Sequence, residues 1–470
     1  MLRYLLYQLE YRRWLFLALA VALIIHFIPV ETTLSPAGKS ILAIIAMTIL
    51  LVVFEPIPLP MISFLIAVLE VLFGIAGPAQ VAQSFMSDSV IFILGSLMLA
   101  VAVVKQQLDK RILFFILRLT KDNVRLTVLS LVVVAGLLAS MMGEHSVAAV
   151  MLPVSLILVR IWEENQVRES KQHVIFLMSV AFGAAVASVG TPSGGARNAI
   201  MLSYWEEVSG LRVSYLEWVV GMYPLVIIQL PIVYFLLFRF YRPSHGGLSN
   251  AFSFLRRELQ QQQLSVEDWI TATIMLITVA LWMLFSDTLG LGPVALIGVL
   301  LCVVSGVLNW EDISHDVNWG VPILYASIIS TGLWMTSTGA ADWVAERLQF
   351  LLAFDFVGGR LLLVGVMTLL SMLVGAVISS GPAIALLGPI FLRQAQISGG
   401  DPLVFGMILV AGASYANFTP VSSPACTIVY GSGMVPRSDY WALGLRLALV
   451  AFFTIVAFGY FYWTFVTAYF

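Results

Sequence analysis

Two stretches of this chain hold residue types that apolar sequence does not carry without a use for them. The first is the polar turn Gly143-Glu144-His145-Ser146, opening an apolar run that ends at Pro153 and followed by Thr191-Pro192-Ser193-Gly194-Gly195-Ala196-Arg197-Asn198. The second is Ser379-Ser380-Gly381-Pro382, opening a run that ends at Pro389 and followed by Thr419-Pro420-Val421-Ser422-Ser423-Pro424-Ala425-Cys426. The parts come in the same order in both. A helix broken inside a membrane frees backbone N–H and C=O groups that are costly if left unsatisfied. Freed N–H groups at half-helix N-termini suit an anion, and freed carbonyls suit a cation. Breaks at matching places in two halves point to a transporter's binding site.

Within those breaks, the hydroxyls of Thr191, Ser193, Thr419, Ser422 and Ser423 and the amides of Asn198 and Asn417 suit a polar ligand. A proline kink whose serines and threonines satisfy the local backbone is the plainer reading of any one break. Its recurrence at four duplicated places argues for a site. Arg197 at membrane depth costs about 2.5–3.5 kcal/mol. Either it faces an anionic substrate or it holds a permanent ion pair, with Glu144 as the available partner. Glu144 beside His145 suggests coupling to protonation, or a hydrogen-bonded tip that ties the turn to its neighbours. Zinc-protease chemistry is excluded by the lack of an HExxH pattern, and His26, His173, His245 and His315 fall in end or loop segments. Asp88, Asp109, Asp316 and Asp342 read as interfacial charges on connecting helices.

The elements that must position these residues follow from composition. The chain of 470 residues is 60% hydrophobic and 11% charged, which identifies an all-α polytopic membrane protein. Its net charge of -2 favours no nucleic-acid partner, and its two cysteines, Cys302 and Cys426, lie in apolar surroundings that suit neither a disulfide framework nor a zinc site. The first apolar run follows Arg3, Arg12 and Arg13 without a cleavage pattern, so it reads as a retained span.

Eleven spans are expected, near 14–30, 38–54, 57–77, 88–106, 173–203, 218–240, 268–286, 292–308, 317–338, 402–434 and 439–469. Two further stretches, 124–160 and 360–395, are interrupted at their polar turns. Each half looks too short for a crossing of roughly 20 residues, so both read as re-entrant hairpins. A polar linker, 241–267, separates a first repeat (1–240, broken helix 173–203) from a second (268–470, broken helix 402–434). With a cytoplasmic N-terminus, eighteen of the 24 Lys and Arg fall on the cytoplasmic side. The C-terminus is then outside and the hairpins enter from opposite faces, which makes the repeats inverted in topology.

The motifs resemble the divalent anion/sodium symporter family, within the wider ion transporter superfamily. Pro58-Leu59-Pro60 before a span, Asn318-Trp319-Gly320-Val321 opening another and Val429-Tyr430-Gly431-Ser432-Gly433 after the second break carry the likeness, which covers most of the chain. Family tips read Ser-Asn-Thr and family broken helices contain Pro-Pro-Asn. Here Ser379 alone keeps the tip pattern, and Ala196-Arg197 stands where the family has Pro-Pro. The resemblance implies that substrate meets Glu144, His145, Ser146, Arg197, Asn198, Ser379, Ser380, Gly381, Thr419, Pro420, Ser422 and Ser423. It implies that a coupling cation meets Gly143, Glu144, Thr191, Gly194, Gly195, Ser379, Ser380 and Asn417.

The expected function is secondary transport of a small anion, a di- or tricarboxylate or sulfate, across an inner or plasma membrane by alternating access. The expected coupling is to Na+ near the hairpin tips, to H+ carried by Glu144 or His145, or by exchange. No other cofactor is expected, and the resembled family implies a homodimer. Two rivals use the same residues: an anion channel through the same cavity, and a membrane-embedded enzyme with Glu144 and His145 as its acid–base pair.

Overall fold

The structure, a computed structural model, describes residues 12–28, 33–108, 123–165, 174–242, 265–352 and 359–470, with backbone alone at 161–165 and 349–352. Most of the expected linker, together with His173, His245 and the basic segments 109–122 and 166–173, lies outside the described residues. Those described are helical, with no strand among them.

The helices come in two matching series. After α1 (Arg13–Phe27), the first series is α2 (Pro36–Phe54), α3 (Leu59–Leu72), the short α4 (Pro78–Phe85) and α5 (Asp88–Lys105). It continues with a hairpin of α6 (Val124–Met142) and α7 (Glu144–Asn165), a broken helix of α8 (Val174–Ala187) and α9 (Ala196–Ser209), and the long α10 (Tyr215–Tyr241). The second series is α11 (Val266–Leu289), α12 (Leu291–Val304), the short α13 (Trp310–Asp316) and α14 (Gly320–Ser337), with α15 (Ala340–Leu352) added. Then follow a hairpin of α16 (Gly359–Ile378) and α17 (Ser380–Ile397), a broken helix of α18 (Pro402–Ser414) and α19 (Pro424–Gly431), and α20 (Arg437–Ala457), which runs on through a π-helical segment. The halves exchange partners: α5 packs on α12, and their counterparts α14 and α3 pack on each other.

Among the described residues, seven helices are long and apolar enough to cross a membrane, and five shorter apolar ones accompany them. Each expected span contains helix among its described residues, with 173–203 and 402–434 interrupted at 188–195 and 415–423, and several helices are shorter than a full crossing. Large apolar side chains stand exposed on the outer helices, including Leu72 of α3, Leu284 of α11, Val304 of α12 and Phe453 of α20. Such a surface suits lipid rather than water. The inner helices are apolar all round and buried all round, as a bundle interior requires. All fourteen residues of α8 are buried, as are twelve of the thirteen in α18.

Polar residues start several helices. Ser214 and Glu217 form a reciprocal capping box on α10, as Ser265 and Asp268 do on α11. Asp88 is not a loose interfacial charge. Its carboxylate accepts from the backbone N–H of Leu291 (3.1 Å) and Gly292 (3.0 Å), so the start of α5 caps the start of α12 in the other half. Glu70, fully buried in α3, accepts from Ser330 (2.8 Å) and Thr331 (3.4 Å) of α14.

One feature of the hairpins departs from expectation. The arms α6 and α16 have 19 and 20 residues and are long enough to cross a membrane, not too short for it. The polar tip shortens the apolar window on either side, but helix continues to the residue before the turn. Each turn is a single residue. Gly143 sits at φ 81°, ψ 147° and Ser379 at φ 73°, ψ 156°, a region of backbone space kept almost wholly for glycine.

Candidate functional site

Four helices begin at the breaks: α7 at Glu144, α9 at Ala196, α17 at Ser380 and α19 at Pro424. Each N-terminus carries unpaired N–H donors and about half an elementary charge of positive dipole. The tight turns that produce this arrangement are held by matching bonds in the two halves. Thr191 donates its hydroxyl to the carbonyl of Ser140, three residues before the Gly143 turn. Thr419 donates to the carbonyl of Ala376, three residues before the Ser379 turn, at 2.6 Å. Ser193 adds a second hydroxyl to Ser140 O at 3.1 Å and meets the hydroxyl of Tyr215 at 3.0 Å. Asn198 donates its amide to the carbonyls of Ser188 (2.9 Å) and Thr191 (2.7 Å), bridging both sides of the first break. A Cβ at Gly194 would stand 2.1 Å from the carbonyl oxygen of Ser188, so this crossing of the chain over itself admits only glycine.

Arg197 and Glu144 together join all four breaks. The Arg197 guanidinium forms an ion pair with Glu144 at the first hairpin tip and donates to Ser188 at the end of α8. It also donates to the hydroxyl of Ser380, at the second hairpin tip, at 3.1 Å. Glu144 in turn accepts from Ser423 of the second break at 2.8 Å, and from Ser188 at 3.4 Å. The pair is buried, with 3% of Glu144 and 4% of Arg197 exposed. Arg197 Nε, also buried, has no partner among the described residues.

A cavity of about 820 Å³, mouth included, opens beside this pair. The first tip contributes Gly143, Glu144, His145 and Ser146, and the first break contributes Pro192, Ser193, Gly195 and Arg197. Ser380 and Pro424 come from the second half, while Phe92 and Ser96 of α5, Asn318, and Tyr325 of α14 close the far wall.

Of the residues expected to meet substrate, Glu144, His145, Ser146, Arg197 and Ser380 line this cavity. Ser423 lies behind it on Glu144. Asn198, Thr419 and Ser422 spend their side chains on turn carbonyls, and Pro420 begins the three-residue turn Pro420–Ser422. Gly381 packs under Tyr325, whose hydroxyl a Cβ there would approach to 2.4 Å. Of the residues expected to meet a cation, Gly143, Glu144, Gly195 and Ser380 line the cavity. Thr191 and Gly194 shape the first turn, and Ser379 forms the second, its hydroxyl 3.5 Å from Ser422 O. Asn417 is fully buried, and its amide nitrogen has no partner among the described residues.

Glu144 and His145 are not a dyad. Glu144 turns inward to Arg197, while His145 is exposed and makes no bond to it. Ser188, Ser96 and Tyr325 were not signalled by the sequence. Each is one polar group in an apolar helix, where serine commonly satisfies a carbonyl three or four residues back, as Ser188 does with Ala185. Asn318 stands in a motif legible in the sequence, yet nothing local marks it as a cavity residue.

Comparison with known proteins bears on this arrangement. The family described as "Sodium:sulfate symporter transmembrane region" matches residues 11–469. A transporter of Haemophilus influenzae, named as uncharacterized, is 26% identical over 445 residues, 91% of this chain and 92% of its own. The sodium-dependent dicarboxylate transporter SdcS of Staphylococcus saprophyticus is 21% identical, covering 91% of this chain and 86% of that one. Its Staphylococcus aureus (strain USA300) namesake is 22% identical over 86% and 81%. Among solved structures, the Alcanivorax borkumensis YdaH transporter matches with a TM-score of 0.56 at 15% identity, over 83% of this chain and 88% of that one.

Proposed function

This chain belongs to the sodium:sulfate symporter family, and on that premise we propose that it carries a small anion, a dicarboxylate or sulfate, bound in the cavity between the four breaks. The observation that carries the reading is the charge balance there. Four helix N-termini and one guanidinium face the site, against the single carboxylate of Glu144. Each terminus is worth about +0.5 elementary charge, so the surplus is positive even with the ion pair made. Arg197 Nε, the N–H groups that open α7 and α17, and the hydroxyl of Ser380 are the donors offered to an anion's oxygens. Dicarboxylate is also what the staphylococcal relatives are named for.

The membrane placement that goes with this reading has the two repeats inverted and the hairpins entering from opposite faces. The N-terminus is then cytoplasmic, the C-terminus outside, and the chain a homodimer in an inner or plasma membrane. Support comes from the tips, Glu144 and Ser380, which meet on one guanidinium inside the bundle. Hairpins and broken helices would move together against α1–α5 and α11–α15 to expose the cavity alternately.

The test is uptake of labelled succinate, citrate and sulfate by proteoliposomes, under an imposed cation gradient and against internal unlabelled anion. Saturable uptake with acceleration by internal anion is expected, and Arg197→Gln removes it while folded protein remains in the membrane. Conductance without exchange would make the protein a channel.

A further inference from the structure

We propose that the wall opposite the breaks decides which anion is carried: Ser96 of α5, Asn318 just before α14 and Tyr325 in its second turn receive the far end of an elongated anion whose near end lies at Arg197. This rests on the reading of the cavity as an anion site. The breaks themselves have little left with which to discriminate. Thr191, Ser193, Asn198, Thr419 and Ser422 give their side chains to turn carbonyls, and Ser188 and Ser423 give theirs to Glu144. What remains there is one cluster of donors: Arg197 Nε, the Ser380 hydroxyl and the N–H groups that open α7 and α17. Such a cluster holds one anionic group and says little about the rest of the ligand, because helix N-termini and a guanidinium accept any oxyanion.

The opposite wall is different in kind, for its polar groups are unspent. A serine in an apolar helix ordinarily bonds a carbonyl of its own helix, as Ser130 and Ser179 do. Ser96 does not: its hydroxyl is buried and has no partner among the described residues. A buried tyrosine ordinarily places its hydroxyl on a partner, as Tyr204 and Tyr415 do on backbone carbonyls. The Tyr325 hydroxyl instead leans over Gly381 at the start of α17, within electrostatic reach of Arg197, and makes no hydrogen bond among the described residues. Asn318 likewise leaves its side-chain amide free there. It lies seven residues before Tyr325, or about 10 Å along the helix direction, so the free groups run from the hairpin tip toward the mouth. A compact tetrahedral anion seated at Arg197 leaves Asn318 unmet. An anion with a second polar group at the other end of a short carbon chain meets both, and Phe92, Leu97 and Val321 of the same wall offer apolar surface to the chain. The three polar groups are neutral, so the wall selects by hydrogen bonding and length. His145, also unspent, belongs to the first tip and is tested separately.

Binding of sulfate, malonate, succinate, glutarate and adipate to purified protein is measured by calorimetry at one pH, with sodium present throughout. The wild type is expected to prefer one chain length and to bind it about 10- to 100-fold more tightly than sulfate, the value of a hydrogen bond to a charged group. Asn318→Ala and Ser96→Ala are each expected to weaken that dicarboxylate about tenfold and to leave sulfate within about twofold. Asn318 is exposed, so its variants are expected to fold. Asn318→Lys is expected to tighten the preferred dicarboxylate and Asn318→Asp to weaken it beyond the alanine variant, a reversal of sign that a structural role would not give. His145→Asn is expected to keep the chain-length order. Sulfate bound as tightly as the best dicarboxylate, or a length preference that the Ser96 and Asn318 variants leave intact, overturns the inference while the anion site stands. Loss of the preference in His145→Asn alone also overturns it. Absence of binding by all five anions removes the anion site itself.

Discussion

Replacing Glu144 and Arg197 singly and together measures what the central ion pair does for the fold. Both side chains are about 95% buried, and the pair shares its donors and acceptors with Ser188, Ser380 and Ser423. Breaking a buried pair from one side costs about 3–5 kcal/mol, because the remaining charge is uncompensated. The two sides are not equivalent. Glu144→Leu leaves a guanidinium that cannot shed its proton, facing four positive helix ends, so it takes the full penalty. Arg197→Met leaves a carboxylate that is partly stabilised by those same helix ends and keeps its two serine donors. Its penalty should fall to about 1–2 kcal/mol, near the value of the charge-assisted hydrogen bonds lost. The double variant removes both charges and should return to within about 1 kcal/mol of the wild type. Equilibrium unfolding in mixed micelles, with a transport assay to confirm loss of function, gives all three values. Equal penalties for the two single variants, or penalties below about 1 kcal/mol for both, would refute the claim that this pair is buried and ionised in the resting protein.

Three further outcomes follow from single residues. Gly194→Ala places a methyl group 2.1 Å from a backbone oxygen, so it should displace the first break and abolish anion binding at a stability loss of about 1–3 kcal/mol, read by calorimetry and thermal unfolding. Ser379→Gly relieves a left-handed backbone that is strained by about 1–3 kcal/mol, and unfolding should show a gain of about 1 kcal/mol with sulfate affinity unchanged. Asp88→Ala removes the cap on α12, and about 0.5–2 kcal/mol of stability should be lost without a change in anion affinity.

The breaks were legible because their causes are local. Proline cannot continue a helix, glycine permits the turn, and a polar cluster within apolar sequence marks where backbone needs partners. Arg197 and Glu144 drew attention for the same reason, since charge at membrane depth must be answered. Less legible were the partners that answer it from far along the chain. Ser423 lies 279 residues from Glu144, and Ser380 lies 183 from Arg197. A serine in an apolar helix looks alike whether it bonds its own carbonyl or a distant charge. Glu70, buried against Ser330 and Thr331, escaped notice because it falls near the end of an apolar run, where a surface carboxylate is ordinary. Hairpin arm length was misread for a related reason, because hydropathy falls at the polar tip while backbone helix does not.

The most direct test of the central claim is a cryo-electron microscopy map of the reconstituted protein with sulfate bound. The account predicts density within hydrogen-bonding distance of Arg197 and the first N–H groups of α7 and α17. Density for the transported anion elsewhere in the molecule would contradict it.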